Sequence, residues 1–279
     1  MLEFLWRKNM NNKYLRYFLG FLLLALILIA FYFSGRILFL VSAFFIIITM
    51  MEYRKMMKNK DIYPHKFLPE IVGILCAYVF SFTKGIEEHS IITPILIGGV
   101  VFSFILTVLR NKKPYIMTSL STIAAILLIF CGLYIIKLTY YFNENSAWYV
   151  ICVYFAAVLM GDYAASILGP KFNKYKLASE ISPDKTIAGS FFNLIFTCLP
   201  CFLLVKFIDL SIIKCLFLGI IISIFSQLGD LTISSFKRDL DIKHSGNLFM
   251  GYGGILDRMD AFLFSAPAVY YYLFLVSVV

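Results

Sequence analysis

Long apolar runs, separated by short charged segments, make up almost the whole chain. Nine of these runs approach the roughly twenty residues that an α-helix needs to cross a bilayer. The second run is short, and its separation from the first depends on the tripeptide Ser34-Gly35-Arg36. The pattern predicts an all-α integral membrane protein of about nine transmembrane helices. The predicted spans are residues 14–34, 37–53, 67–83, 91–109, 116–136, 147–167, 187–205, 211–230 and 261–278.

Composition separates this chain from soluble proteins. Hydrophobic residues make up 61% of it and charged residues 15%, whereas a soluble domain is about half apolar and a quarter charged. No polar segment is long enough to form a soluble domain, so we expect a single polytopic domain over residues 1–279. The net charge of +9 is typical of cytoplasmic loops that contact anionic headgroups, and we expect no nucleic-acid partner.

The lysines and arginines predict the orientation of the helices. With the N-terminus in the cytoplasm, twenty of the twenty-five Lys and Arg residues fall in cytoplasmic segments, as the positive-inside rule requires. Fusing the first two spans would leave eight helices and expose the basic N-terminal segment outside, which disfavours that arrangement. We therefore expect a multi-pass protein of the cell inner (plasma) membrane, with Lys171–Lys185 and Lys237–Arg258 facing the cytoplasm.

The stretch Ser226–Asp260 contains the densest run of charge in the chain. Aspartates that can hold a divalent cation, basic groups that can hold phosphate and a glycine-rich segment occur together there, as phosphoryl or nucleotidyl transfer requires. The alternative is an ordinary solvated loop between membrane helices. The residues concerned are Asp230, Asp239, Asp241, Asp257, Asp260, Lys237, Arg238, Lys243, Arg258, Gly246, Gly251, Gly253 and Gly254.

Residue spacing in this stretch predicts which side chains lie together. Asp257 and Asp260 are three residues apart and would share one face of a helix, as would Asp230 and Lys237 at a spacing of about two turns. Asp230 ends an apolar span, where an ionised side chain is a functional candidate. The glycines would let backbone N–H groups approach a bound anion closely, and these are Gly251, Gly253 and Gly254.

A second polar block begins near the inner end of the sixth span. Asp162 would form a polar wall of a lipid-phosphate cavity, or would simply be solvated by headgroups. Lys185 can contact a phosphate, while Ser182 and Thr186 can donate hydrogen bonds. Capping of the following helix is the alternative role for Ser182 and Thr186.

Both blocks resemble the phosphatidate cytidylyltransferases, also called CDP-diacylglycerol synthases. The string GDLTISSFKRDLDIKHSGNLFMGYGGILDRMD is similar to the family's C-terminal signature, S-x-x-K-R-x4-K-D, a spacer, P-G-H-G-G, then L-D-R-x-D. GPKFNKYKLASEISPDKTIAG resembles a second family block, and the resemblance extends from Asp162 onward. The matching positions of the first string are Ser234, Lys237, Arg238, Lys243, Gly251, Gly253, Gly254, Leu256, Asp257, Arg258 and Asp260.

Four positions depart from the family pattern. His244 stands where the family has Asp, and Ala188 stands where it has Glu. Met250 and Tyr252 replace the Pro and His of P-G-H-G-G. The resemblance therefore indicates a diverged member.

The resemblance implies transfer of a cytidylyl group from CTP to phosphatidate, giving CDP-diacylglycerol and pyrophosphate in phospholipid biosynthesis. It implies that Asp230 and Asp257 hold Mg²⁺, with help from Asp260. A second, monovalent cation is possible, and so is a homodimer. Lys237 and Arg238 would clamp phosphate oxygens. We expect residues 1–145 to be scaffold helices and residues 146–279 to be the catalytic half. The remaining substrate-binding candidates are Asp162, Ser182, Lys185, Thr186, Ser234, Lys243, Gly251, Gly253, Gly254 and Arg258.

Two alternatives to this function stay open. One is a cytidylyltransferase that acts on another lipid phosphate, such as an isoprenoid phosphate. The other is a relative without catalytic activity that binds nucleotide or lipid.

Overall fold

In the computed structural model the described part of the chain is a bundle of membrane helices with one small hairpin. The structure describes residues 25, 28–33, 35–83, 86–111, 113–138, 144–172, 175–208, 210–246 and 253–278, and for residues 86–89, 144–146 and 277–278 it describes the backbone alone. The helices are α1 (Gly35–Met57), α2 (Leu68–Phe82), α3 (Ile86–Arg110), α4 (Tyr115–Lys137), α5 (Glu144–Leu168), α6 (Ile187–Cys201), α7 (Leu204–Ile208), α8 (Ile212–Asp239) and α9 (Leu256–Val278).

The helices confirm an all-α membrane protein. Seven helical segments among the described residues are long and apolar enough to cross a membrane. Each predicted span from residue 37 onward coincides with a helix, and α6 with α7 together form one span, Ile187–Ile208. The first predicted span lies mostly outside the described residues, although residues 28–33 are helical. Helix α1 begins at Gly35, which has a φ of +48°.

Two helices depart from the usual length of a membrane span. Helix α2 has 15 residues and is roughly 22 Å long, shorter than the hydrocarbon core of about 30 Å. Helix α8 has 28 residues and continues nine residues past its predicted end at position 230. Asp230 therefore lies inside a helix that carries Lys237 two turns further on.

The bundle consists of two groups of helices, and α9 makes the main contact between them. Helices α1 to α4 pack against one another, as do α5, α6, α8 and α9. Helix α9 also packs against α4 and joins the two groups. Gly229 lets α8 and α9 approach closely, since a Cβ atom at Gly229 would overlap the carbonyl oxygen of Asp260. Small residues have this role wherever membrane helices are in close contact.

A two-stranded antiparallel sheet, which the sequence did not predict, precedes α6. Strand β1 (Lys176–Ala178) pairs with β2 (Ser182–Thr186), with Lys176 opposite Thr186 and Ala178 opposite Ser182. The Thr186 hydroxyl caps α6 by accepting from the N–H of Gly189 at 2.9 Å. The hairpin therefore leads directly into a membrane helix and has a defined position at one end of the bundle.

Candidate active site

Three aspartates from three helices form an aspartate cluster, which consists of Asp162, Asp230 and Asp260. Asp162 lies on α5, Asp230 on α8 and Asp260 on α9. Asp230 interacts electrostatically with both of the others. The close approach of α8 and α9 at Gly229 brings the last two together. Three carboxylates at the edge of a membrane repel one another, so their proximity needs compensating positive charge.

Lys185 supplies positive charge to this cluster from the hairpin. Its Nζ atom lies 2.5 Å from Oδ2 of Asp230, and both side chains are largely shielded from solvent. A second contact joins the hairpin to α8, because Nε of Arg238 donates to the carbonyl oxygen of Ile181 at 2.9 Å. The two polar blocks of the sequence therefore meet at the same end of the bundle.

Asp257 lies in the first turn of α9 and accepts hydrogen bonds from three donors. Lys237 donates to its Oδ1 at 2.7 Å. The backbone N–H groups of Ser245 and Gly254 donate to its Oδ2 at 2.8 Å and 3.2 Å. Gly253 has a φ of +92°, and a Cβ atom there would overlap the Asp257 carboxylate. The backbone N–H of Gly254 thus contacts the protein's own carboxylate, and the approach of the glycine backbone to a bound anion stays a prediction.

A polar network inside the membrane helices supports Asp162, and the sequence analysis missed it. Asn193 of α6 is 1% exposed, and its Nδ2 donates to Oδ1 of Asp162 at 3.0 Å. Its Oδ1 accepts from Ser223 at 2.7 Å and from Gln227 at 3.2 Å. Ser190 donates to Gln227 at 2.5 Å. The available signal was the presence of amide side chains within apolar spans, where polar groups are costly.

The other predicted site residues occupy varied environments. Thr186 caps α6 and also donates to the carbonyl oxygen of Gly169 at 3.2 Å, so the capping alternative is confirmed for it. Ser234 donates to Oδ1 of Asp230 at 3.2 Å. Ser182 lies on β2, while Lys243 and Arg258 are exposed near the site. Gly251 lies outside the described residues.

The carboxylates fit a divalent cation that is shared with substrate phosphates. Mg²⁺ prefers oxygen ligands and is usually held by one or two carboxylates plus phosphates, which Asp230 and Asp260 can provide. Four carboxylates and two ammonium groups lie together here, so carboxylates outnumber ammonium groups. These groups belong to Asp162, Asp230, Asp257, Asp260, Lys185 and Lys237.

The predicted set of three aspartate ligands is not assembled, however. Within the described parts of the chain, no group of three or more His, Cys, Asp or Glu side chains forms a metal site by itself. Both oxygens of Asp257 are turned toward Lys237 and the two backbone N–H groups. The roles of Asp230 and Asp260 as ligands stay predictions.

Two of the positions that depart from the family pattern can be placed. Nδ1 of His244 lies 3.9 Å from Oδ2 of Asp257, at the edge of the site. Ala188 is in the first turn of α6, next to the capping residue Thr186. Met250 and Tyr252 lie outside the described residues.

Membrane helices with clustered carboxylates and lysines at one end define a multi-pass membrane protein with a polar site at the bilayer edge. The model of the cytidylyltransferase family matches residues 14–276. The chain therefore belongs to the cytidylyltransferase family.

Several similar curated proteins are named phosphatidate cytidylyltransferase. A phosphatidate cytidylyltransferase of Bacillus subtilis is 33% identical over 223 residues, which cover 75% of this chain and 80% of that protein. One of Staphylococcus epidermidis is 30% identical over 239 residues, covering 84% and 88%. One of Staphylococcus haemolyticus is 41% identical over 130 residues, covering 46% and 50%.

Proposed function

We propose that this protein transfers the cytidylyl group of CTP to phosphatidate, forming CDP-diacylglycerol and pyrophosphate. The observation that carries the proposal is the ion pair between Lys185 and Asp230, because it unites the two polar blocks of the sequence in one site. That site lies at the end of the membrane helices, where a lipid phosphate and a soluble nucleotide can meet. Membership of the cytidylyltransferase family and the names of the relatives support both substrates.

The reaction requires one bond to form and one to break at phosphorus. An oxygen of the lipid phosphate attacks the α-phosphorus of CTP, and the bond from that phosphorus to the bridging oxygen of the β-phosphate breaks. Pyrophosphate leaves with the bonding electrons, so no covalent intermediate on the protein is needed. The protein's task is to position two polyanions and to stabilise the charge that develops on the leaving group.

Lys237 and Lys185 are placed for this task. Lys237 uses one of its three ammonium hydrogens for Asp257, which leaves two to donate to phosphate oxygens. Lys185 is held by Asp230 at the mouth of the aspartate cluster. The aspartates fix the positions of the lysines before substrate binds, and preorganised charge of this kind contributes most to catalysis.

Asp230 and Asp260 would hold Mg²⁺, because their carboxylates belong to a cluster with excess negative charge. When bound, Mg²⁺ would neutralise charge on the triphosphate and on the departing pyrophosphate. Asp257 would keep Lys237 and the N–H groups of Ser245 and Gly254 in position. Asp162, held by Asn193, would close the cluster on the membrane side.

The assay combines purified protein, labelled CTP, Mg²⁺ and a panel of lipid phosphates, with release of pyrophosphate as the readout. We expect turnover with phosphatidate and its loss in Asp230→Asn. Asp239→Asn is the matched control, since Asp239 is an exposed carboxylate on the same helix. Absence of turnover on every lipid phosphate, with CTP still bound, would favour the relative without catalytic activity.

The site should face the cytoplasm, where nucleotides are found and where the positive-inside rule places its lysines. Single cysteines at two exposed serines, in a variant without the native cysteines, test this orientation. Ser179→Cys lies on the hairpin and Ser211→Cys precedes α8 at the opposite end of the bundle. We expect an impermeant reagent added to intact cells to label Ser211→Cys alone. Labelling of Ser179→Cys would reverse the orientation.

A second candidate acceptor is a different lipid phosphate. The observation that favours it is His244, which stands near Asp257 where the resemblance places an Asp. A His cannot replace that negative charge, and it can donate to a phosphate. The same panel distinguishes the acceptors, because an altered specificity would give a higher kcat/KM on another lipid phosphate than on phosphatidate.

A further inference from the structure

Glu52 is a buried carboxylate on one of the N-terminal helices, and it contacts the candidate active site. It lies on α1 and is 8% exposed. Its Oε2 accepts a hydrogen bond from the backbone N–H of Leu256 at 3.1 Å. Leu256 is the first residue of α9 and immediately precedes Asp257. A residue from α1 therefore satisfies one of the N–H groups that the start of α9 leaves without a helical partner.

Two glycines of the segment 246–254 make room for this carboxylate. A Cβ atom at Gly254 would overlap both oxygens of Glu52, and one at Gly246 would lie 2.7 Å from its Oε1. Neither glycine has a positive φ, so backbone conformation does not explain why a glycine is needed. The space taken by Glu52 does explain it, and both described ends of the segment pack against this one side chain.

Glu52 carries two energetic costs, the first of which it shares with the structural residue Glu70. Among the described residues its Oε1 has no hydrogen-bond partner, and it lies close enough to Asp257 for electrostatic repulsion. A buried carboxylate with an unpaired oxygen beside another carboxylate destabilises the fold. Polar groups placed at such a cost inside membrane proteins are commonly functional.

We propose that Glu52 is a positioning residue for the nucleotide-binding end of the site. It holds the N-terminus of α9, together with Gly246 and Gly254, against α1, and so sets the orientation of Asp257 and its partner Lys237. The kinetic tests of this inference rest on the proposed cytidylyl transfer. The hydrogen-exchange test rests on the backbone contacts alone. Glu52 acts through these groups, and it does not itself contact the reacting atoms.

The first test compares Glu52→Ala, Glu52→Gln and the control Glu70→Gln. Glu70 is a buried carboxylate that pairs with Arg54 between α1 and α2. We expect Glu52→Ala to lower kcat about tenfold or more, the effect of misplacing a catalytic group, with the KM for lipid unchanged. Gln keeps an acceptor for the Leu256 N–H, so Glu52→Gln should recover most of the rate.

Thermal unfolding in detergent separates this effect from loss of stability. We expect Glu52→Ala to unfold at no lower temperature than Glu70→Gln, while only Glu52→Ala loses turnover. The inference is overturned if Glu52→Ala retains wild-type kcat. It is also overturned if Glu70→Gln lowers kcat as much as Glu52→Ala does. The loss of kcat would then follow from changing any buried carboxylate.

A double-mutant cycle tests the contact with the glycine segment. Gly254→Ala alone should lower kcat, because its new methyl group collides with Glu52. In the double variant Glu52→Ala/Gly254→Ala that methyl group has space, so the combined loss should be smaller than the product of the single losses. Fully multiplicative losses would show that the two residues act independently.

Hydrogen exchange of the backbone amides needs no turnover and therefore tests the inference even if the proposed function fails. We expect the amides of residues 253–258 to exchange faster in Glu52→Ala than in wild type, with Glu52→Gln close to wild type. The amides of α7, which follows the end of α6 opposite the hairpin, should be unchanged. Equal exchange at residues 253–258 in all three proteins would overturn the positioning role.

Discussion

The N-terminal helices α1–α4 and the C-terminal helices α5–α9 both contain buried polar groups, and they use them differently. Among α1–α4, polar groups pair locally: Nε2 of His65 lies 2.8 Å from the Thr107 hydroxyl, which lies 2.8 Å from the Ser119 hydroxyl. Arg54 pairs with Glu70. Among α5–α9, three carboxylates instead converge on one another.

The difference shows which polar groups stabilise the fold and which are arranged for chemistry. A hydrogen-bonded hydroxyl or a closed ion pair lowers the cost of burying polarity. A cluster with more carboxylates than ammonium groups raises that cost, unless a cation or a substrate completes it. Glu52 is an exception in the N-terminal group, because it contacts α9 and the glycines Gly246 and Gly254. The Tyr134 hydroxyl also pairs outside this group, with Tyr271 of α9 at 2.7 Å.

Among changes that break an ion pair, Asp257→Asn should have the largest effect. The change keeps the size of the side chain and removes the charge that holds Lys237. We expect turnover to fall at least about a hundredfold, the scale of losing one key electrostatic group, in protein that still folds. Near-normal turnover at saturating Mg²⁺ would contradict a role for Asp257 in the site.

The double variant Asp257→Asn/Lys237→Met is the control for stability. Removing one member of a shielded ion pair leaves the other without a partner, which is more destabilising than removing both. We expect the double variant to unfold at a higher temperature than Asp257→Asn and to remain inactive. Recovered activity would mean that the pair serves the fold alone.

Lys185→Met should have the next largest effect. It removes the ammonium group that joins the hairpin to Asp230 and that would contact a substrate phosphate. Hydrogen bonds to charged groups contribute about 1.5–3 kcal/mol, so we expect kcat/KM to fall roughly tenfold to a hundredfold. Lys176→Met, an exposed lysine on the partner strand, is the control. Equal loss in both variants would point to the hairpin fold.

Glu70→Gln should affect stability and leave catalysis almost intact. It breaks the ion pair with Arg54, which joins α1 to α2 within the N-terminal group. We expect a decrease of a few degrees in the unfolding midpoint, since about 1 kcal/mol corresponds to roughly 2–4 °C in a chain of this order of size. The kcat should stay within about twofold of wild type. A large loss of kcat at a temperature where the variant is folded would mean that polar groups of the N-terminal helices also serve catalysis.

The smallest effect concerns the response of stability to pH. Burial lowers the pKa of His65 below its usual value of 6.5, so the folded protein binds this proton less readily than the unfolded chain does. The stability associated with neutral His65 is complete above that usual value and is lost as the pH falls through it toward the lower folded pKa. We expect His65→Gln to lose less stability than wild type between pH 8 and pH 5. An identical decrease in the unfolding midpoint of both proteins would show that His65 is not involved.

Much of this arrangement was predictable from the sequence. Apolar runs predicted every span from residue 37 onward, because a helix in a bilayer satisfies its own backbone hydrogen bonds whatever its neighbours are. Spacing predicted that Asp257 and Asp260 would share one face of a helix, as would Asp230 and Lys237, but the predicted spans stopped short of Lys237 and began after Asp260. The resemblance of two short blocks predicted the family, since their residues are tied to one chemistry.

The sequence alone determined the class of membrane protein, the order of its helices and the residue types of its site, because these follow from local composition and spacing. Only the tertiary structure decided which groups meet. It placed Lys185 on Asp230, turned Asp257 toward Lys237, inserted Asn193 behind Asp162 and brought Glu52 to the start of α9 across 204 residues. Such contacts depend on how helices pack, and packing is set by the shapes and close approaches of many side chains at once.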